Sequence, residues 1–261
     1  MLKPVLGKKR FQPVFELMHL IALYGMNYGN GGDLKESGEI NVLKVIAKKF
    51  SRNRKFVVFD VGSNIGKYSN AVVEYFGKEH VQIYAFEPSA FTFNELKKNT
   101  DLVKGSIVYN NFGLGKVPDT LQLYTTGDGS GLASVYNRKL DHHQLSMSGV
   151  EEIKLDTFDA YCLKNDIYHI DLLKLDVEGH ELQCLQGATQ MLEKNAVQCI
   201  QLEFGGCNID SRTYFMDFWY LLSEKYRIYR IVKDGLREIK RYTETEEIFK
   251  TINILAIHKE Y

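Results

Sequence analysis

The sequence predicts an α/β fold: a doubly wound, mostly parallel sheet with an antiparallel last strand, an N-terminal helical cap and a β insertion. Three observations carry this. From Phe56 onward, short apolar runs alternate with segments of helical period. The first run, FVVFDV, is apolar almost throughout, as in a strand covered on both faces. A chain of 261 residues with 44% hydrophobic composition can bury one large core and carry a modest appendage.

The elements follow in order. FELMHLIALYGM has the look of one helix, and GNGG at 29–32 breaks it. Ser37 and Glu39 precede INVLKVIAKKF, where Ile40, Leu43, Ile46 and Phe50 fall near helical spacing. Residues 1–54 thus form the predicted cap, and 55–261 the main domain. In that domain FVVFDV is followed by a helix over 66–77, the strand VQIYAFEP and the helix FTFNELKKNT. Next come the strands SIVYNNFG and IDLLKLDV, the helix HELQCLQGATQMLEK and the strand VQCIQLEF. The helix YFMDFWYLLSEKY and the strands YRIYRIV and TINILAIHK complete the list. The last two strands lack a helical pattern between them, so a hairpin-like excursion and an antiparallel final strand are expected. Residues 116–155 interrupt the rhythm with LQLYTT, the turn TGDGSG and VEEIKL, which reads as inserted strands.

Charge and cysteine usage narrow the partners. Thirty-three basic residues balance 33 acidic ones, so no net field draws the chain to nucleic acid. KKR at 8–10 and REIKR at 237–241 read as solvated faces. Cys162, Cys184, Cys199 and Cys207 match no zinc spacing and contain no CxxC pair. With no signal peptide and no membrane-length apolar run, the expectation is a reduced, soluble, cytoplasmic protein with no membrane span.

The loop after the first strand is where chemistry begins. In open parallel sheets, ligands sit beyond the carboxyl ends of the strands, near helix N-termini. Asp60 closes the first strand and Gly62, Asn64 and Gly66 follow. A dinucleotide fingerprint needs a bare middle position against the pyrophosphate, and here that position is Asn64. A nucleoside carrying a small amino acid has no such demand. Asp60 is a candidate acceptor for that ligand's ammonium. Glu87, ending the second strand, suits two ribose hydroxyls. Asn110 and Asn111 end the third strand, with amides suited to an adenine edge. Tyr68, beside the loop, is a further contact candidate. Together these describe a pocket for S-adenosylmethionine.

A second constellation lies in LKLDVEGHE. Asp176 ends the fourth strand, and Glu178 and His180 occupy the turn before the next helix. Any of the three can serve as base, or orient the base, in proton removal from an acceptor oxygen. Lys174 is a charge inside an apolar strand that requires a partner if buried, and Glu203 is a candidate for that pairing or a further crevice carboxylate. Asp176, Glu203 and His180 also invite a divalent-metal reading, but no dense ligand motif supports it and no metal site is predicted. The aromatics Tyr214, Phe215, Phe218, Trp219 and Tyr220 fit core packing better than sugar stacking.

FDVGSNIGKYS, FEPS, NNFGLG and LKLDVEGHELQCLQGA resemble the FkbM-type methyltransferases, a family of S-adenosylmethionine-dependent enzymes. The resemblance runs from the SGE at 37–39 through TINILAIHK. LKLDVEGHE is its most specific part, while FDVGSNIG is shared by many methyltransferases. It implies a Rossmann-like methyltransferase sheet and O-methylation of a hydroxyl on a sugar, glycan or small natural product. Segments 1–36 and 116–150, the most open to variation, would then choose the substrate. The competing expectations are an NAD-dependent oxidoreductase, opposed by Asn64, and a non-catalytic adenosine-ligand module.

Overall fold

The computed structural model describes residues 5–50 and 53–261; residues 1–4 and 51–52 of the predicted cap lie outside the described residues. An eight-stranded sheet forms the body. In chain order its strands are β1 (Phe56–Val61), β2 (Val81–Phe86), β3 (Ile107–Asn110), β7 (Ile170–Leu175), β8 (Val197–Phe204), β9 (Tyr226–Val232), β10 (Gly235–Ile239) and β11 (Ile252–His258). They lie in the order β10-β9-β11-β8-β7-β1-β2-β3. β8, β7, β1, β2 and β3 run parallel. β11 inserts between β8 and β9, antiparallel to both, and β10 forms a hairpin with β9. The fold is the doubly wound, Rossmann-like sheet that the strand–helix alternation predicts.

Alternation along each strand divides the core. Phe59, Val61, Leu173 and Leu175 point to the face covered by α5 (Phe158–Lys164), α6 (Glu181–Gln186) and α9 (Phe215–Leu222). Val58 and Leu172 point to the other face, where Val42, Leu43 and Ile46 of α2 (Glu39–Lys49) and Val72 and Phe76 of α3 (Lys67–Phe76) pack on them. Of the predicted cap, α2 therefore shares the core of the sheet. The other cap helix, α1 (Gln12–Gly25), stands apart, with Leu23 its one buried residue.

Three elements depart from the predicted pattern. The third strand splits: β3 stops at Asn110, and β4 (Gly113–Gly115) joins β5 (Asp119–Thr125) and β6 (Gly149–Thr157) in a second, three-stranded sheet. β5 and most of β6 lie in the segment 116–155 read as inserted strands, and β4 precedes it. The helix after β7 breaks into α6 and α7 (Thr189–Glu193) around Gly187, whose backbone lies so close to β4 that a Cβ there would stand 2.0 Å from the Gly115 carbonyl oxygen. α5 and α8 (Cys207–Ser211) are too short for a periodic signal; α5 is announced only by the Thr157 hydroxyl, which accepts from the Ala160 N–H.

Candidate active site

The loop after β1 is held by backbone approach. Gly62 has φ +78°, and a Cβ there would lie 1.8 Å from the Asp176 carbonyl oxygen, so only glycine fits. The Asp176 N–H donates to the Val61 carbonyl at 3.0 Å and ties the end of β7 to the end of β1. Asn64 adopts φ +47°, its side chain accepting from the Ile65 N–H at 2.7 Å. The Asn64 N–H donates to Glu87 Oε2 and the Ser89 N–H to Glu87 Oε1, each at 3.0 Å. Glu87 is buried, and burial pushes its carboxyl up to about 7.

Two cavities meet at this loop. One, about 690 Å³ with the solvent at its mouth, is lined by Gly62, Asn64, Glu87 and His180 from the loops after the strands and by Leu123, Ile153 and Leu155 of the insertion. The second is a wider crevice, about 2090 Å³ with the solvent at its mouth, bordered by Gly31, Glu39, Tyr68, Lys174 and Glu203. Gly62, Asn64, Gly131, Asp176 and Glu178 line both.

A buried polar layer underlies the crevice. Asp60, Lys174 and Gln201 stand side by side on β1, β7 and β8. Lys174 Nζ is 2.9 Å from Asp176 Oδ2 and 3.9 Å from Asp60 Oδ1, and it lies 5.0 Å from the centre of the Tyr68 ring. Ser69 Oγ donates to Asp60 Oδ2 at 2.7 Å. Gln201 accepts from the Tyr68 hydroxyl and donates to Glu39, which also accepts from Ser37 Oγ. Burial works against the Lys174 charge, yet Asp176, Asp60 and Glu39 together raise its pKa. Burial pushes Glu39 up to about 7, and burial with the neighbouring Asp176 and Glu178 pushes Glu203 well above the carboxylate range.

In the turn after β7, Glu178 has φ +51° and its carboxylate pairs with Arg138 of the insertion, which also approaches Asp210. Burial, then Asp176, raises the Glu178 pKa. His180 Nδ1 lies 3.1 Å from the Tyr136 hydroxyl, and burial pulls the imidazole down to about 4. Glu181 Oε1 accepts from the Val177 and Gly179 N–H groups, which fixes the turn.

The model of the methyltransferase FkbM domain matches residues 60–230, which contain the loop, Glu87 and the turn after β7. The chain belongs to the FkbM methyltransferase family. It is 27% identical over 168 residues to the hexuronic acid methyltransferase AglP of Haloferax volcanii, the match covering 64% of each protein. A crystal structure of methyltransferase FkbM from Methylobacillus flagellatus shares 18% identity at a TM-score of 0.45, over 79% of this chain and 44% of that one. The N-terminal domain of human METTL16 in complex with SAH shares 9% at 0.45, over 84% and 68%. The chain thus spans a little under two thirds of the curated relative and less than half of the FkbM structure.

Against this family frame, the residues expected at the site separate into three groups. Gly62, Asn64 and Glu87 come together at the narrower cavity, as do Asp176, Glu178 and His180. Tyr68 lies instead on the crevice side. Asp60, Gly66 and Asn111 line neither cavity. Asp60 follows Val58 onto the face under α3, fully buried, where Ser69 Oγ donates to its Oδ2. Gly66 makes room for Leu96 and Thr100, since a Cβ there would stand 2.5 Å from Thr100 Cγ2. The Asn111 amide donates to the carbonyls of Glu87 and Pro88, and the Asn110 amide donates to the Ala85 carbonyl.

Lys174 pairs with Asp176 and Asp60 and not with Glu203, which leaves Glu203 facing the crevice. Glu39 and Arg138 were not foreseen. Glu39 looked like a helix-start residue, and Arg138 sits in a polar loop without a pattern. Glu178, Glu203 and Cys207 bring one ligand atom each within 4.8 Å of one another. A cation there would compete with Arg138 for Glu178. No described helix is long and apolar enough to cross a membrane.

Proposed function

We propose that the protein is an S-adenosylmethionine-dependent O-methyltransferase whose acceptor is a hydroxyl of a sugar, glycan or small natural product. The observation that carries this is the junction of the two cavities at Asp176 and Glu178. It gives one narrower, apolar-lined chamber for a nucleoside and one wider crevice for an acceptor, with carboxylates where they meet.

The narrower chamber suits the cofactor. Glu87 uses two of its acceptor sites on backbone N–H groups and keeps capacity for two ribose hydroxyls. Leu123, Ile153 and Leu155 offer an apolar roof for an adenine ring. When bound, S-adenosylmethionine supplies an electrophilic methyl group on a sulfonium. Asp176, oriented by Lys174, is the carboxylate we assign to the acceptor hydroxyl, where it would take up the proton. Glu178, pinned by Arg138, shapes the junction. His180, with its Nδ1 3.1 Å from the Tyr136 hydroxyl, lines the same chamber as a wall and hydrogen-bonding group. The similarity to a hexuronic acid methyltransferase supports a sugar acceptor.

Calorimetric titration of the purified protein with S-adenosylmethionine, S-adenosylhomocysteine and NAD tests the cofactor assignment. Micromolar binding of the first two and none of NAD is expected. Binding of NAD alone would move the protein to the oxidoreductases.

A further inference from the structure

Helix α1 is built inside out. Val14, Leu17, Met18, Leu20, Ile21 and Tyr24 are all exposed, Leu17 at 58% and Ile21 at 62%. On a helix of 3.6 residues per turn these six cover a continuous arc of about 160°. Gln12, Glu16 and His19 fall on the opposite side, beside the anchoring Leu23. Apart from Tyr24, whose ring centre lies 4.2 Å from Lys250 Nζ, the helix turns its apolar face away from the body. Lys8, Lys9 and Arg10, all exposed, stand in the turn that leads into it, and Glu16 is the one acid between residues 5 and 25. This local excess of positive charge sits on a chain whose overall charge is zero.

We propose that α1 and the basic turn before it dock the protein onto an anionic lipid surface. An exposed apolar face next to a basic cluster is the pattern of a helix lying in the headgroup region, where apolar burial and attraction to anionic lipid add. A second copy of the chain is a poorer occupant. One face of a 14-residue helix is about 21 Å long and ~10 Å wide, about 200 Å², whereas a stable pair buries about 800 Å² per partner. The basic turns would also gain no opposite charge from each other. The chain continues from α1 into Gly29, Gly31 and Gly32, which line the wider crevice, so docking would hold the crevice mouth close to the bilayer.

The test is flotation of the full-length protein with phosphatidylcholine vesicles, with and without phosphatidylglycerol, alongside its mass in solution by light scattering. Partitioning at least about tenfold stronger with phosphatidylglycerol, and weakened by added salt, is expected. Leu17→Asp with Ile21→Asp should remove that binding. Because both positions are exposed, the thermal unfolding curve should stay in place. Replacing Lys8, Lys9 and Arg10 with glutamine should abolish the preference for phosphatidylglycerol while leaving the fold intact. Absence of vesicle binding, or binding indifferent to both sets of variants, would overturn the proposal. A dimer dispersed by the aspartate pair, without vesicle binding, would overturn it in favour of a second copy.

Discussion

The narrower cavity and the wider crevice are built by different means, although they share Asp176. The cavity is made from backbone turns and an apolar roof: Gly62 pressed against the Asp176 carbonyl, Glu87 gripped by two N–H groups, and Leu123, Ile153 and Leu155 above. The crevice is made from charge. Glu39, Asp176 and Glu203 border it, over a buried layer in which Lys174 faces Asp60. A site that must hold one ligand in one pose gains from a rigid, water-excluding frame. A crowded group of carboxylates is costly to bury and is kept where it acts on a ligand. On the proposed function, recognition and chemistry fall on different sides of Asp176, and substitutions on either side should have separable effects.

The largest effect is expected at the assigned base. Asp176→Asn should lower methyl transfer to a responsive acceptor by about 10²–10⁴-fold, with S-adenosylhomocysteine affinity by calorimetry changed little. Equal losses in turnover and affinity would show that the two sides cannot be separated. Next is the junction itself. Gly62→Ala places a methyl 1.8 Å from the Asp176 carbonyl oxygen at a positive φ. Denaturant unfolding should show a loss of about 3 kcal/mol or more. A change under ~0.5 kcal/mol would mean that the approach of β1 to the turn relaxes freely.

On the cavity side, Glu87→Ala should weaken cofactor binding by about 10- to 100-fold, the worth of hydrogen bonds to a charged acceptor. Burial holds this carboxyl up near 7, and hydroxyl donors favour its ionised form. Cofactor affinity of the parent should therefore rise with pH through about 7, and Glu87→Gln should flatten that rise. An identical pH profile in the two proteins would remove Glu87 from the ribose.

The smallest effect concerns His180. Its imidazole is held near 4 by burial, below its ordinary value of 6.5. Between these values the unfolded chain binds more protons than the folded one, so His180 costs stability as pH falls and none above about 7. His180→Gln should gain on the parent by roughly 1–2 kcal/mol between pH 7 and pH 5 in urea unfolding. A constant difference across that range would mean that the ring takes up its proton freely in the folded state.

Much of the cavity side was legible beforehand because it is local. Gly62 and Asn64 sit in one turn, Glu87 closes the next strand, and each ends an apolar run that announces itself. The burial of Asp60 was not legible, because a strand-end acid reads as a crevice group in one dimension. The period of two sends it with Val58 under α3, where Ser69 and Lys174 hold it. The partners of the Asn111 amide were not legible either: it donates to two nearby carbonyls, and hydrogen-bond satisfaction is not written in residue type.

By itself the sequence determined the alternation of strands and helices, the antiparallel last strand, the glycine turn after the first strand and the LDVEGHE turn. Periodicity, glycine and strand-end acids are short-range signals that survive in one dimension. Only the tertiary structure decided that Arg138 of the insertion pairs with Glu178, that Glu39 and Gln201 share a hydrogen bond, and that Lys174 chooses Asp176 and Asp60 over Glu203. Glu39 and Gln201 lie 162 positions apart, and Arg138 and Glu178 lie 40 apart. Such pairings depend on which strands become neighbours and on which face each side chain falls. Those choices follow from burying one continuous core, so no local stretch of chain contains them.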